Sequence, residues 1–178
     1  SREGLLLHYL IAGEGSTGLV FVHGSLGNAH WWDEQAAFFR DRYGVVQLDL
    51  SGHGQSQSGR QEWSEEAYAA DIRAVVEELP FEKLVLLGHS MSGPYVMEAS
   101  LLLPKVKLLV LVDTVKDLDN LMDEQMAEEL IFKIYRQDFR RAVEEYLPQY
   151  LFSPSTPEEV RQRLQQEFLA QGGDFAVK

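Results

Sequence analysis

Four short apolar runs alternate with amphipathic helical patterns along the first part of this chain. The runs cover residues 19–22, 45–50, 84–87 and 106–112. Strands that are separated by helices pair in parallel, because each helix carries the chain back across one face of the sheet. The sequence therefore predicts an α/β fold in which a mostly parallel sheet is flanked by helices. A further apolar run, residues 5–12, predicts one more strand.

The helical pattern before the third run has both a start signal and a stop signal. Ser64 can cap the helix, Glu65 and Glu66 suit its first turn, and Pro80 ends it. Between these signals the apolar residues recur on one helical face: Tyr68, Ile72, Val75, Val76 and Leu79. The pattern predicts a helix that packs against the sheet, and a similar pattern predicts another helix over about residues 92–103.

The chain changes character after Asp113. Residues 119–171 show no strand pattern and predict two amphipathic helices, broken by Pro148 and by the Pro- and Ser-rich residues 153–157. Two parts of the chain are therefore predicted, a sheet-containing part over residues 1–118 and a helical part over residues 119–178.

The composition favours a soluble globular protein with a small-molecule partner. The net charge is -12, and 45% of the residues are hydrophobic. Such an acidic chain repels phosphate backbones and anionic lipid surfaces, so nucleic acid and membrane partners are disfavoured. The chain has no cysteine, which excludes disulfides and thiolate metal sites. No metal site or cofactor is expected, and the cytoplasm is the expected location.

Residues 84–93 predict a strand that runs into a tight turn carrying Ser90. A nucleophile elbow holds its serine on such a strained turn between a strand and a helix, and it needs small residues two positions before and two after the serine. Gly88 and Ser92 occupy these positions. Glycine is the usual residue at both, so Ser92 is a departure, and we expect glycine to be tolerated there. The pattern predicts Ser90 as a catalytic nucleophile.

The histidines of this chain all come before Ser90. They are His8, His23, His30, His53 and His89. Enzymes with this elbow place the triad in the chain order serine, acid, histidine, so their general base lies downstream of the nucleophile. Either the sequence stops before the base, or the protein is not a complete hydrolase.

Four motifs in this order resemble the α/β-hydrolase fold family. They are residues 21–25 (FVHGS), 48–56 (LDLSGHGQS), 88–93 (GHSMSG) and 109–114 (LVLVDT). The resemblance implies the fold of that family, with residues 119–178 as a helical cap or lid. The nearest likeness is to small cofactor-free members that act as esterases or C–C hydrolases. The fold also supports lyases and peroxidases and does not choose among these activities.

The resemblance also implies roles for individual residues. Ser90 would attack the carbonyl, and the backbone N–H groups of Ser25 and Met91 would form the oxyanion hole. Asp113 is a candidate for the triad acid or else a carboxylate that organises its loop, and Asp49 is expected to fix the turn that follows it. The predicted substrate pocket contains His23, Leu26, His89, Phe132 and Tyr135.

Several of these residues have a second interpretation. His23, His53 and His89 occupy motif positions that are structural in the family, and His89 is not expected to reach the Ser90 hydroxyl. His30 is a substitute base or a solvated histidine. The aromatic side chains of residues 132–152 line a pocket over Ser90 or pack against the sheet.

Residues 106–112 form an apolar run of the kind that is buried on both faces of a sheet. Left as a sheet edge, such a strand promotes aggregation. We therefore expect the sheet to be incomplete at its C-terminal side, and a C-terminal segment or a second chain to complete it. The expected function is a serine hydrolase that acts on an ester or a similar activated carbonyl. The alternative is a non-catalytic module that keeps the pocket to bind a ligand or partner.

Overall fold

A computed structural model of the chain describes residues 4–57, 59–60, 63–114 and 136–171. The chain divides into two compact units, Ser1–Lys116 and Asp117–Lys178. The predicted boundary between the sheet-containing and helical parts lies at residue 118.

The first unit contains a five-stranded sheet. The strands are β1 (Tyr9–Ala12), β2 (Thr17–Val22), β3 (Gly44–Leu48), β4 (Lys83–His89) and β5 (Val106–Val112). Their order across the sheet is β1-β3-β2-β4-β5. Strand β1 pairs with β3 antiparallel, and all the other pairs are parallel. The predicted α/β fold with a mostly parallel, open sheet is confirmed.

Three α-helices connect the parallel strands. A 3-10 turn (Ala29–Trp32) leads into α1 (Asp33–Phe39), and the other two helices are α2 (Glu65–Glu77) and α3 (Ser92–Ser100). The Ser64 hydroxyl accepts a hydrogen bond from the Ala67 N–H at 3.2 Å, so the predicted cap of α2 is confirmed. Helix α3 ends before the predicted Leu103, because the Leu103 N–H already turns back to the Ser100 carbonyl.

The core lies on both faces of the sheet. Alternate residues of a strand point to opposite faces. In β2, Val20 and Val22 belong to the larger cluster with α2 and α3, while Leu19 and Phe21 pack with Ala36 of α1 on the other face. Strands covered on both faces are apolar without interruption, which explains why the sequence shows runs rather than alternation.

The second unit is described as helical segments. An α-helical turn (Phe139–Arg141), a π-helical segment (Ala142–Tyr146) and a second α-helical segment (Leu147–Leu151) follow one another without a break, and Glu158–Gln171 forms a separate helix. The prediction that Pro148 breaks the first helix is wrong. Pro148 stands at the start of a new segment, just after the π turn, where its fixed φ suits the helix. Within the described part of the chain, no helix combines the length and the apolar composition that a membrane crossing requires.

Strand β5 pairs only with β4 among the described strands, and its side chains are partly open to solvent. Leu108 is 57% exposed and Leu111 is 41% exposed. An apolar edge strand offers unpaired backbone groups and side chains to another copy of the chain. We therefore expect the chain to self-associate along β5.

Replacing Leu108 with lysine is expected to reduce self-association of the 178-residue chain, because a charged side chain on an edge strand opposes pairing with a second edge. Sedimentation velocity over a range of protein concentrations measures the effect. The control is Phe38→Lys, which removes a comparably exposed side chain from α1 (69% exposed) and should leave self-association unchanged. A monomeric parent chain, or equal effects of the two changes, would contradict the expectation.

Candidate active site

The four sequence motifs meet at one edge of the sheet. Strands β2, β3, β4 and β5 are parallel, so their carboxyl ends, Val22, Leu48, His89 and Val112, lie on the same side. Ligands of open α/β sheets bind outside the carboxyl ends of the strands. The candidate site is therefore built from the loops that follow these four residues.

The turn at Ser90 has the geometry of a nucleophile elbow. Ser90 has φ +51°, a left-handed conformation that costs energy for a residue with a side chain. Its N–H donates to the Val112 carbonyl at 2.9 Å, and its carbonyl accepts from the Gly93 N–H at 3.1 Å. The Ser90 hydroxyl has no hydrogen-bond partner among the described residues. The turn thus fixes the backbone of Ser90 and leaves its hydroxyl available.

Two glycines allow α3 to approach the strands closely. A Cβ atom at Gly88 would lie 2.7 Å from Cγ2 of Val96 and 2.8 Å from the carbonyl oxygen of Ser92. A Cβ atom at Gly93 would collide with the side chain of Thr114. The predicted need for a small residue before the elbow serine therefore has a direct steric cause at Gly88.

Ser92 does more than provide a small side chain. The residue is fully buried, and its hydroxyl oxygen accepts a hydrogen bond from the His89 N–H at 2.9 Å. The hydroxyl donates to the Val22 carbonyl at 3.0 Å, with the His89 carbonyl at 3.1 Å as a second acceptor. The elbow pattern did not predict these bonds, and they argue against the expectation that glycine is tolerated at this position. The signal for them was the serine itself, which stands where glycine is usual.

The turn after β2 brings backbone N–H groups to the same edge. The Gly27 N–H donates to the Gly24 carbonyl at 3.1 Å, so Ser25 and Leu26 occupy the middle of a tight turn. Leu26 has φ +59°, which matches the second central position of a type II turn. A Cβ atom at Gly24 would lie 2.7 Å from Nδ1 of His89, so the turn is packed against the elbow.

The two predicted oxyanion donors have unused N–H groups. The N–H of Ser25 in the turn and the N–H of Met91 at the start of α3 find no acceptor within the described ranges. Unpaired N–H groups at a helix start favour a negative charge. Both N–H groups are therefore available for the role predicted for them.

Asp113 follows β5 directly, beside the elbow. Its φ is +51°, and Val112, the residue before it, accepts the hydrogen bond from the Ser90 N–H. A left-handed aspartate is uncommon and marks a constrained loop. Asp113 therefore lies just after the strand that pairs with the Ser90-bearing strand, in a left-handed backbone conformation.

His23 lies in the interior of the fold, which fits its structural interpretation better than a place in the predicted substrate pocket. Its side chain is fully buried; Nδ1 lies 2.7 Å from the Gly24 carbonyl, and Nε2 accepts from the Leu50 N–H at 3.1 Å. Both ring nitrogens are therefore occupied by backbone groups, and Nδ1 carries the proton. The sequence alone could not show that the His23 side chain points into the core, because the turn that directly follows it lies at the site.

Burial keeps His23 and His53 neutral. Burial lowers the pKa of His23 to about 4, outweighing the hydrogen bond to the Gly24 carbonyl. The two rings meet edge to face, 4.7 Å apart between centroids, and burial lowers the pKa of His53 as well. The predicted structural interpretation fits both residues, and neither is placed as a base for Ser90.

His23 makes the stability of the fold depend on pH. The unfolded chain protonates His23 below about pH 6.5, whereas the folded chain does so only near pH 4. The unfolded state therefore binds more protons between these values, and the free energy of unfolding should fall as the pH falls. A shift of this size corresponds to about 3 kcal/mol. Urea unfolding across the interval measures the slope.

The matched variant for this experiment is His23→Asn, whose side-chain amide can still donate to the Gly24 carbonyl but does not titrate. We expect a shallower dependence on pH than in the parent chain. His30→Asn, at an exposed position, should keep the parent's slope. Equal slopes for the parent and for His23→Asn would contradict the assignment.

The Asp49 carboxylate makes hydrogen-bond contacts with three separate stretches of the chain. One oxygen accepts from the Ala29 N–H at 2.6 Å, and the other accepts from the Gln55 N–H at 3.0 Å and lies 2.8 Å from Nδ1 of His8. Asp49 is buried, and Gly54, with φ +52°, leaves room for the carboxylate. The predicted turn-fixing role is confirmed and extends to the N-terminal segment.

The remaining predicted residues differ in their surroundings. His30 is exposed and lies 3.1 Å from an oxygen of Asp33. His89 packs against Trp31 and Trp32, with ring centroids 6.1 Å and 6.3 Å away. Leu26 is buried at the turn. Phe132 and Tyr135 lie outside the described residues.

The chain is similar to one family and to several known proteins. A family model described as alpha/beta hydrolase fold matches residues 18–151. An uncharacterized protein of Mycobacterium tuberculosis is 34% identical over 105 residues, which are 58% of this chain and 30% of that protein. Epoxide hydrolase 4 of Mus musculus is 34% identical over 94 residues, which are 51% of this chain and 26% of that protein.

Among solved structures, an esterase from Exiguobacterium antarcticum matches with a TM-score of 0.85 and 20% identity, over 98% of this chain and 69% of the esterase. At this identity the likeness shows the fold alone. The matched segments cover less than a third of the mycobacterial protein and of the mouse epoxide hydrolase.

Proposed function

Because this chain belongs to the α/β-hydrolase fold family, we propose that it forms the nucleophile-bearing part of a serine hydrolase. The substrate is a carboxylic ester or a similarly activated carbonyl compound, and the reaction proceeds through an acyl-enzyme at Ser90. Relatives of the chain include proteins named as hydrolases, which supports this class of reaction.

The observation that carries the proposal is the strained backbone at Ser90. A left-handed serine at the end of β4 and the start of α3 costs about 1–3 kcal/mol, and such strain persists where the surrounding structure enforces it. The enforcing contacts are the hydrogen bond to Val112 and the close packing at Gly88. The strain has a use if it presents the hydroxyl to a substrate.

The reaction follows from the groups around the elbow. The Ser90 oxygen attacks the carbonyl carbon and gives its proton to a general base, and the carbonyl oxygen becomes negative. The N–H groups of Ser25 and Met91 stabilise this charge. The C–O bond then breaks, the alcohol leaves with the proton from the base, and the acyl group stays on Ser90. Water, activated by the same base, releases the acid and restores the serine.

We place the general base outside the five histidines of this chain. His23 and His53 are buried and neutral, and His8 contacts Asp49. His30 is exposed beside Asp33, and the His89 ring packs against Trp31 and Trp32. The base is assigned to a histidine on a further C-terminal segment or on a second chain. Asp113 would orient that histidine, or it would only hold the loop after β5.

Trapping the acyl-enzyme tests the proposal. The protein is first assembled with the segment or chain that supplies the base and is then mixed with a p-nitrophenyl ester. The reaction is quenched in acid, the protein is digested, and the masses of its peptides are measured by mass spectrometry. We expect the acyl mass on the peptide that contains Ser90. Ester turnover with no acylated Ser90 would overturn the mechanism. Ligand binding without any Ser90-dependent turnover would instead support the non-catalytic alternative.

A further inference from the structure

We infer that the Ser92 hydroxyl is a positioning group that fixes the relative positions of the two oxyanion donors. The inference rests on the proposed function, because it concerns how the N–H groups of Ser25 and Met91 are kept together. Its basis is the set of hydrogen bonds made by a side chain at a position where glycine is the usual residue.

The Ser92 hydroxyl joins β4 to β2 where their direct pairing ends. The last paired residues of the two strands are Val22 and Gly88. One residue further on, the His89 N–H donates to the Ser92 oxygen at 2.9 Å, and that hydroxyl donates to the Val22 carbonyl at 3.0 Å. The hydroxyl therefore connects the two strands one residue beyond the end of their direct pairing.

Each end of this connection is near one of the two donors along the chain. Val22 comes three residues before Ser25, and Ser92 comes directly after Met91. The contact between Gly24 and the His89 ring is a second link between the same two loops. A single buried hydroxyl thus ties the turn after β2 to the start of α3, and its position affects the separation of the two N–H groups.

The burial of Ser92 makes the hydroxyl hard to replace. The residue is fully buried, so removing the hydroxyl leaves the His89 N–H and the Val22 carbonyl without this partner and out of reach of water. The loops must then shift to satisfy these groups. Oxyanion stabilisation depends on donors held in place before the reaction, so a shift should weaken the transition state more than substrate binding.

Ser92→Ala tests the inference, with Ser100→Ala as the control. Ser100 is a serine of the same helix whose hydroxyl donates to the Met97 carbonyl at 2.7 Å, remote in sequence from the elbow. In the protein assembled with its base, we expect Ser92→Ala to lower kcat for a p-nitrophenyl ester about 10- to 100-fold, below the loss caused by removing a whole oxyanion donor. KM should change less than about 3-fold.

A second measurement does not depend on catalysis. The backbone amide signals of Ser25 and Met91 in ¹⁵N-resolved NMR spectra should both move in Ser92→Ala and stay in place in Ser100→Ala. If these signals move but the parent protein shows no Ser90-dependent turnover, the coupling stands and the proposed function fails. If the signals and kcat both behave as in Ser100→Ala, the inference is overturned. A pure loss of stability, with kcat unchanged in the folded fraction, would also overturn it.

Discussion

Replacing Ser90 with alanine is expected to abolish covalent labelling by a fluorophosphonate probe and to lower ester turnover of the assembled protein by about 10⁴- to 10⁶-fold. The reason is that the half-buried elbow hydroxyl combines a strained backbone with the two predicted oxyanion donors, whose N–H groups have no other acceptor within the described ranges. Gel fluorescence after labelling and initial rates with a p-nitrophenyl ester measure the two effects.

Controls for this change come from the neighbouring serines. Ser25→Ala keeps the backbone N–H of the turn and should keep labelling, because the proposed role of Ser25 does not use its hydroxyl. Ser100→Ala should also keep labelling. If the probe still reacts in Ser90→Ala, or if it reacts with Ser25 or Ser92 in the parent protein, the nucleophile is wrongly assigned.

Replacing Asp71 with alanine is expected to lower the free energy of unfolding by about 3–5 kcal/mol. Asp71 and Arg60 form an ion pair at 2.7 Å in which both side chains are buried, and the Ser51 hydroxyl donates to the same carboxylate oxygen at 2.7 Å. Burial raises the pKa of Asp71, against the opposing effects of Ser51 and Arg60. Without the carboxylate, the Arg60 side chain stays buried beside α2 and loses its ion pair with residue 71.

Chemical unfolding monitored by circular dichroism measures this loss. Asp33→Ala removes a carboxylate that is 58% exposed and accepts one hydrogen bond from Gln47, and it should cost only about 1 kcal/mol. The double change Arg60→Met with Asp71→Leu should recover much of the stability, because two apolar side chains of similar volume need no charge partner. A small effect of Asp71→Ala, equal to that of Asp33→Ala, would show that the pair does not stabilise the fold.

The sequence could predict the sheet because its central strands are buried on both faces. A continuous apolar run of four to seven residues between helical patterns is typical of such a strand, and Ser64 and Pro80 mark the limits of α2 through local chemistry. The effect of Pro148 could not be predicted, because a proline at the start of a helical segment and a proline that breaks a helix look the same in the sequence. Only the hydrogen bonds around it distinguish the two.

The site was predictable as far as backbone conformation determines it. Ser90 follows from small residues at fixed spacing, and its left-handed φ agrees with the predicted turn. The sequence left two interpretations of His23 open, because one residue in a turn decides whether a side chain faces the core or the site. The bonds of the Ser92 hydroxyl reach a strand 70 residues earlier, which no local pattern can show.

The order of strands on one side of the sheet follows the order of synthesis. From the central strand β2, the strands β4 and β5 lie outward in the order in which they emerge. Domains fold as units during synthesis, so the sheet of this unit forms once β5 is available. The Ser90 N–H bonds to Val112, so the elbow is held only after β5 has joined. A nascent chain would therefore carry no reactive serine until the sheet beneath it had been built.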